Sequence, residues 1–410
     1  MSESNKLPLP LKNLRVLDAT HIVAGPFCSM ILGDMGAEVI KIERPGTGEQ
    51  GRGNQPFIEN ANGERMSARF LGVNRNKKSI SIDLRDPRAK IAFETMLKES
   101  DVLLDNWGPG ALGRLGYSWD NLHEINPGLV YVTITGYGAH EDYEGPYSQW
   151  PANNPCVQGM GGWMESTGAP DGPPQMVGDN MGDSIPGVWA ALGMMMALET
   201  KRQTGKGQHV DTAMYDCMTA HTTSTMPYYQ ATGIVTTRAR ENMISAQLTL
   251  KTSDGYVVLA GARGHGKWKK LWTLIDRNDL ANDERYLGDG TNGQFYFDYV
   301  VPAIENWSAS QTKKYVAETL VGFGFSMGMV QDVKDLDECP HLAARDMFVE
   351  TGDTLGGTFR TVDTPIKLTS SEKCSHTTPP KLGQDNYQIL TSLAKLSEEQ
   401  IKELEADGVI

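Results

Sequence analysis

The chain has 410 residues, a formal charge of -13, 39% hydrophobic residues and 22% charged residues. That balance suits a globular enzyme of two or three domains and argues against a duplex nucleic-acid partner, which calls for a basic face. The five cysteines (Cys28, Cys156, Cys217, Cys339, Cys374) contain no CxxC pair, and neither the start MSESNKLPLPLKNL nor any apolar run reads as a signal peptide or a membrane span, so a reducing, cytoplasmic setting is expected.

LRVLDAT (residues 14–20) reads as a buried strand. A Gly25-Pro26 turn follows, then FCSMILGDMG with helical spacing and a stop at Gly36. AEVIKIERP (residues 37–45) is the next strand, which completes a parallel βαβ unit. SISIDL (79–84) predicts a strand and PRAKIAFETMLKES (87–100) an amphipathic helix with Pro at its start. DVLLDNW and GLVYVTITGYG predict two more strands, so the first domain reads as α/β with a mostly parallel sheet. Its ligand is expected at the carboxyl ends of the strands. Residues 138–182 are rich in Gly, Pro, Asn and Met and carry little regular pattern, as functional loops do.

A helix is predicted over residues 184–204, with Asp183 as its N-cap, Pro186 in the first turn, Lys201 and Arg202 in the last, and Gly205 as the stop. VWAALGMMMAL is apolar nearly all round, so this helix is expected to be buried on most faces. From about residue 242 the texture changes. LTLKTSDGYVVLAGA predicts a hairpin turning at Ser253-Asp254-Gly255, and helical stretches with Trp268, Trp272 and Trp307 follow. TPIKLT reads as a strand and LSEEQIKELEADGVI as a terminal helix.

Several motifs bear on chemistry. A carboxylate at a helix N-terminus, such as Asp183, meets free N–H groups that favour its ionised, nucleophilic form, although a plain N-cap explains the same residue. Asp179 is a rival on the same loop. GPGALG (108–113) matches the dinucleotide fingerprint but lacks the acidic residue after the next strand. GFSMG (324–328) matches the nucleophile elbow, with Asp363 and His376 as partners in the right order for Ser326, but a helical pattern precedes it. The eight histidines fall in no metal spacing, and TGKGQ is not a complete phosphate loop, so no metal and no nucleoside triphosphate are expected. Arg44, Arg85 and Arg114 lie near strand ends, where an α/β sheet holds phosphate-bearing ligands.

Taken together, LKNLRVLDATHIVAGPFCSMILGDMGAEVIKIERPGTGEQGR, NRNKKSISIDLRDPRAK, DVLLDNWGPGALGRLGYSWDNLHEINPGLVYVTITGYG, GAPDGPPQMVGDNMGDSIPGVWAALGMMMALETKRQTGKGQHVD, PHLAARDMFVE and PPKLGQDNYQIL resemble the class III (CaiB/BaiF-type) CoA-transferases, and look closest to the formyl-CoA transferase branch. The resemblance implies an α/β fold with a parallel sheet in a large Rossmann-like domain, built from residues 1–225 and completed by a return segment 331–410. A smaller α+β domain over 226–330 lies between them. An interlocked dimer is implied, homodimeric or with a homologous partner subunit. So is coenzyme A or acyl-CoA as substrate, with no tightly bound cofactor, no metal and a carboxylic acid as acceptor. The resemblance selects Asp183, in GDSIPG, as the nucleophile that carries an aspartyl-CoA thioester. It carries CoA contacts over to Val23, Ala24, Arg44, Leu84, Arg85, Asn106, Trp107 and Arg114. Asn153 and Asn154 fall beside the nucleophile.

One stretch departs from that branch. IVTTRARENMISAQ (234–247) has no glycine run where formyl-CoA transferases carry the loop that covers the active site, and the nearby Gly cluster is GARGHG (261–266). A bulkier acid than formate or oxalate, such as a dicarboxylate or aryl acid, is the expectation. Two other readings stand beside transfer. An α-methylacyl-CoA racemase needs a His-Asp dyad after the GYG segment, where GPYSQWPANNPCVQGMGG has none. A non-catalytic subunit would bind CoA without an intact nucleophile.

Overall fold

The computed structural model describes residues 6–170, 172–238, 248–260, 265–281, 283 and 296–410. Strand β1 (Arg15–Ala19) leads into helix α1 (Ala24–Asp34), and Gly36, at φ 99°, turns the chain back into β2 (Glu38–Glu43). Only glycine adopts that φ without strain. A short hairpin, β3 (Phe57–Glu59) and β4 (Arg65–Ser67), follows. Three-residue strands carry too little periodicity to be read from sequence. Next come β5 (Lys77–Ser81), α2 (Pro87–Lys98), β6 (Val102–Asp105) and β7 (Val130–Thr135). The stretch expected to be irregular contains α3 (Asn154–Met160), capped by Asn153. Helix α4 (Met181–Thr204) then leads to β8 (His209–Ala213).

Six parallel strands form one sheet in the order β5-β2-β1-β6-β7-β8. The chain winds outward from β1 to β5 and then builds the other half from β6 to β8. This is the doubly wound arrangement of dinucleotide-binding sheets, and the reversal leaves a switch point between β1 and β6. The expected parallel α/β sheet is therefore present.

Side chains alternate across each strand. Leu17, Ile40, Ile80 and Leu103 share a core with Ala92, Phe93 and Met96 of α2. Two late helices, α5 (Asn386–Ser392) and α6 (Glu398–Ala406), add Ile389, Leu390, Ile401 and Leu404 to it. Each such residue contributes roughly 1.5–3 kcal/mol by leaving water. The same segment covers the sheet edge. Ser79 N–H donates to the Asp385 carboxylate at 2.8 Å, and Ser81 N–H to the Asn386 side-chain carbonyl at 2.8 Å.

The chain divides into two compact units, residues 1–162, 177–221 and 341–410 in one, and 163–176 with 222–340 in the other. In the second, β9 (Leu248–Thr252) and β10 (Gly255–Ala260) form the expected hairpin, and β11 (Ser326–Met329) pairs with the other edge of β10. Its core holds Trp268, Trp272, Ile304, Val316 and Leu320. Back in the first unit, β12 (Phe348–Gly352) and β13 (Thr358–Val362) form an antiparallel hairpin. TPIKLT, which starts two residues past β13, is not a strand. Pro365 can donate no ladder hydrogen bond there.

Two expectations for α4 are corrected. The helix starts at Met181 with Asn180 as N-cap, so Asp183 is in its first turn and Pro186 lies inside the helix. There Pro186 removes the donor that would serve the Gly182 carbonyl. The helix is also buried on one side only. Val188, Trp189, Leu192, Met195 and Met196 are 39–61% exposed, while Pro186, Gly187, Ala190, Ala191, Met194 and Ala197 are buried.

Candidate active site

The expected ligand contacts lie on loops leaving adjacent strands. Val23 and Ala24 follow β1, Arg44 follows β2, Leu84 and Arg85 come just after β5, and Asn106 and Trp107 follow β6. Arg114 ends the short helix Ala111–Arg114. Asn106 spans the switch point. Its carboxamide accepts the His21 N–H at 2.8 Å and donates to the His21 carbonyl at 3.0 Å.

The next residue, Ile22, has φ 68°, a conformation that β-branched residues avoid. The Glu49 carboxylate holds its N–H at 2.9 Å, and Lys41 Nζ holds the Thr20 carbonyl at 2.9 Å. Strain held in place this way is typical of binding loops. Beneath the loop, Asp18 is fully buried and accepts from Lys77 Nζ at 3.0 Å, from Ser29 of α1 at 2.7 Å and from the Thr20 hydroxyl. Burial alone would raise the Asp18 carboxyl, but Lys41 and Lys77 outweigh it and hold it below the ordinary carboxylate range. Burial in turn brings Lys77 down to about 8.

The remaining contacts are less alike. Trp107 packs partly buried against the core, and its N–H donates to the Asp105 carboxylate at 2.7 Å. Leu84 is 4% exposed and belongs to the core, so its side chain serves packing. Arg44 is exposed, and the Arg85 guanidinium forks onto Asp83. Arg114 lines a cavity of about 460 Å³ with Pro109, Gly110, Glu141 and Glu144. The structure brings Val23, Ala24 and Asn106 together at the switch point, and leaves the three arginines on separate strand-end loops.

Asp183 approaches that point through α4. A Cβ on Gly187 would lie 2.8 Å from the Ala24 carbonyl oxygen, so the two helix starts cross almost backbone to backbone. Asp183 is one helical turn away, a rise of about 6 Å. Burial, and then the charge of Asp179, push the Asp183 carboxyl up to about 6. The expected stabilisation by helix amides is corrected. The Asp183 and Ser184 N–H groups go to the Asn180 carbonyl at 3.0 and 2.8 Å, and the Gly182 N–H goes to Asn154 Oδ1 at 2.8 Å. At pH 7 the carboxyl is still mostly ionised.

Asn154 also donates to the Asp179 carbonyl at 2.6 Å and accepts from Gln158 Nε2 at 2.8 Å. Gln158 Oε1 accepts the Val177 N–H at 2.8 Å. Asn153 only caps α3, accepting from the Cys156 N–H. The sequence reading misses Gln158. Its signal is the four-residue spacing from Asn154, which has meaning only once α3 is known to be a helix.

The hydrolase reading is not supported. Ser326 lies on an antiparallel strand of the second unit rather than at a strand-to-helix elbow. Asp363 and His376 do meet, at 3.1 Å, but in the first unit beside the Asp34–Arg75 ion pair. Among the described residues no cluster of His, Cys, Asp or Glu could hold a metal ion, and no helix is long and apolar enough to cross a membrane. The stretch IVTTRARENMISAQ lies outside the described residues from 239 onward, as do residues 261–264 of GARGHG.

The family model for CoA-transferase family III matches residues 11–386, which include every strand-end loop above and all of α4. The chain belongs to CoA-transferase family III. Its family relatives are named as CoA-transferases, and the chain is an enzyme of that class. It is 32% identical to a succinyl-CoA–D-citramalate CoA-transferase of Chloroflexus aurantiacus, over 99% of this chain and 100% of that one. It is 31% identical to a formyl-CoA:oxalate CoA-transferase of Streptomyces avermitilis, over 98% and 99%. A CAIB/BAIF family protein from Brucella suis has the same fold, with a TM-score of 0.84 and 32% identity over 94% of this chain and 100% of that one. The Chloroflexus and Streptomyces relatives are named for acyl-CoA thioesters and carboxylates as substrates.

Proposed function

We propose that this enzyme moves coenzyme A from a dicarboxyl-CoA, with succinyl-CoA as the test donor, to a second carboxylic acid through an aspartyl-CoA thioester on Asp183. The observation that carries the reading is the half-buried Asp183 carboxylate in the first turn of α4, one turn from the start of α1 at the sheet's switch point.

Asp183 attacks the thioester carbonyl of the donor. The C–S bond breaks, giving a mixed anhydride and free CoA thiolate. The thiolate attacks the aspartyl carbonyl of the anhydride, which releases the donor acid as a carboxylate and leaves aspartyl-CoA. The acceptor carboxylate then attacks aspartyl-CoA, giving a second anhydride and thiolate again. Attack of the thiolate on the acceptor acyl carbon yields the new acyl-CoA and restores Asp183. No step needs a proton or a redox partner. Positioning and oxyanion stabilisation are the main demands. The start of α1, which has no side-chain cap, supplies free amides suited to the second.

Val23, Ala24, Asn106, Trp107, Arg44 and Arg114 are read as the coenzyme's contacts, with the backbone at Leu84 and the Arg85 guanidinium completing them. Two points support a dicarboxylate. The Chloroflexus relative is named for succinyl-CoA and D-citramalate. Residues 234–247 lack the glycine run of formyl-CoA transferases. The exposed apolar stripe of α4 supports a homodimer, since a stripe of this kind is otherwise left in water. Five free cysteines suit the cytoplasm.

The test is intact-protein mass spectrometry after incubation with succinyl-CoA. A CoA-sized adduct that hydroxylamine removes is expected on wild type and absent from Asp183→Ala. An adduct on both proteins would overturn Asp183 as nucleophile, and oxalate as the best acceptor would overturn the dicarboxylate reading.

A further inference from the structure

We infer that Asn154 and Gln158 are positioning residues, a side-chain latch on α3 that holds the loop bearing Asp179 against the nucleophile. The inference rests on Asp183 being that nucleophile.

Both amides are buried, Gln158 completely and Asn154 at 9% exposure. Between them they make four hydrogen bonds, three of them to backbone groups of residues 177–182. Gln158 Oε1 takes the Val177 N–H and Asn154 Nδ2 holds the Asp179 carbonyl, while Asn154 Oδ1 takes the Gly182 N–H and is itself held by Gln158 Nε2. The fit leaves no slack. A Cβ on Gly182 would lie 2.6 Å from the Asn154 carbonyl oxygen and 2.9 Å from Val157. Neither side chain reaches outward to water, and together they tie both ends of a loop rich in Gly and Asn.

Two consequences follow for Asp183. The Gly182 amide, a natural donor to a carboxylate at a helix start, is occupied, so it leaves the nucleophile's lone pairs unspent. The Asp179 backbone is pinned, so the Asp179 charge stays beside Asp183. Among the described residues, Asp179 is the charged group whose field moves Asp183. From α3 come the two neutral amides, and from α1 the Ala24 carbonyl and Phe27 beside Gly187. The helix Met214–Ala220 brings Asp216, whose titration responds to burial and Asp211. Burial and Asp179 together raise Asp183. A loosened loop would admit water and release Asp179, and the nucleophile would become a weaker base.

The test compares Asn154→Ala and Gln158→Met with wild type in the full chain, using succinyl-CoA and a dicarboxylate acceptor. The acid limb of the pH profile of kcat/KM is expected near 6 for wild type. It should move down by about one pH unit in Asn154→Ala, and kcat should fall by roughly 10²-fold with little change in KM for the thioester. Gln158→Met should shift both in the same direction, by less. If Asn154→Ala does not fold, Gln158→Met carries the test alone, through the same acid limb and kcat. Folded variants that retain the wild-type acid limb and kcat would overturn the latch, even with a lowered melting temperature. A wild-type protein that forms no adduct with any thioester would instead sink the reading of Asp183.

Discussion

As the proposed nucleophile, Asp183 must be ionised to attack a thioester, and burial beside Asp179 raises its carboxyl from 3.8 to about 6. Below pH 3.8 the group is protonated whether the chain is folded or not. Between these values the unfolded chain gives up a proton that the folded chain keeps, so stability falls as pH rises. Above about 6 the folded protein is ionised too, and the destabilisation stays at its full extent. Asp183→Asn is therefore expected to be inactive and to melt higher than wild type at pH 8, with most of the difference gone at pH 4. Scanning calorimetry at both values checks this, and equal melting temperatures at pH 8 would contradict it. Much of the site at this scale was legible in the sequence. Asp183 in GDSIPG and Asn106 at a strand end are singled out by the family resemblance, since local chemistry alone leaves Asp183 level with a plain N-cap and with Asp179. What was hidden was the environment. Nothing in the string of residues says that the Gly182 amide is taken by a side chain 28 positions earlier, so the carboxyl reads as helix-stabilised when it is raised.

The crossing of α1 and α4 shows how elements place the site. Gly187 lets the Ala24 carbonyl approach to within contact, and a methyl group there would force the helices apart. Gly187→Ala is expected to cost about 1–3 kcal/mol of stability, as overpacking does. It should raise KM for the thioester more than it lowers kcat, because the start of α1 moves while Asp183 keeps its own turn. Urea melts and steady-state kinetics separate the two effects. The strand–helix–strand start was legible because β1 and β2 are short, buried apolar runs and Gly36 stops the helix between them. Helix α3 was not. Its seven residues include Pro155 and Gly159 and sit in a stretch dense with turn formers, so local pattern favours a loop. TPIKLT failed the opposite way, since its apolar content hides that Pro365 cannot join a ladder.

At the scale of the whole molecule, α4 carries the clearest signal. Its stripe of Val188, Trp189, Leu192, Met195 and Met196 follows helical spacing and faces outward. Its apolar content predicts burial on most faces, but among the described residues of this chain nothing covers the outer side. Trp189→Arg combined with Met196→Glu is expected to halve the mass seen by analytical ultracentrifugation while the far-ultraviolet spectrum is kept. An unchanged mass would place any dimer contact elsewhere.

The edge of the main sheet has a consequence for how the protein is made. Strand β5 is complete by residue 81, yet the side chains that take up its outer N–H groups, Asp385 and Asn386, arrive about 300 residues later. At 5–20 residues per second this is roughly 15–60 s of synthesis. Throughout that interval the nascent chain presents an open strand edge, the kind of template on which strands of neighbouring chains add. A ribosome stalled before residue 385 would therefore release a product able to build most of its sheet but unable to close it, a substrate for chaperones rather than a smaller enzyme.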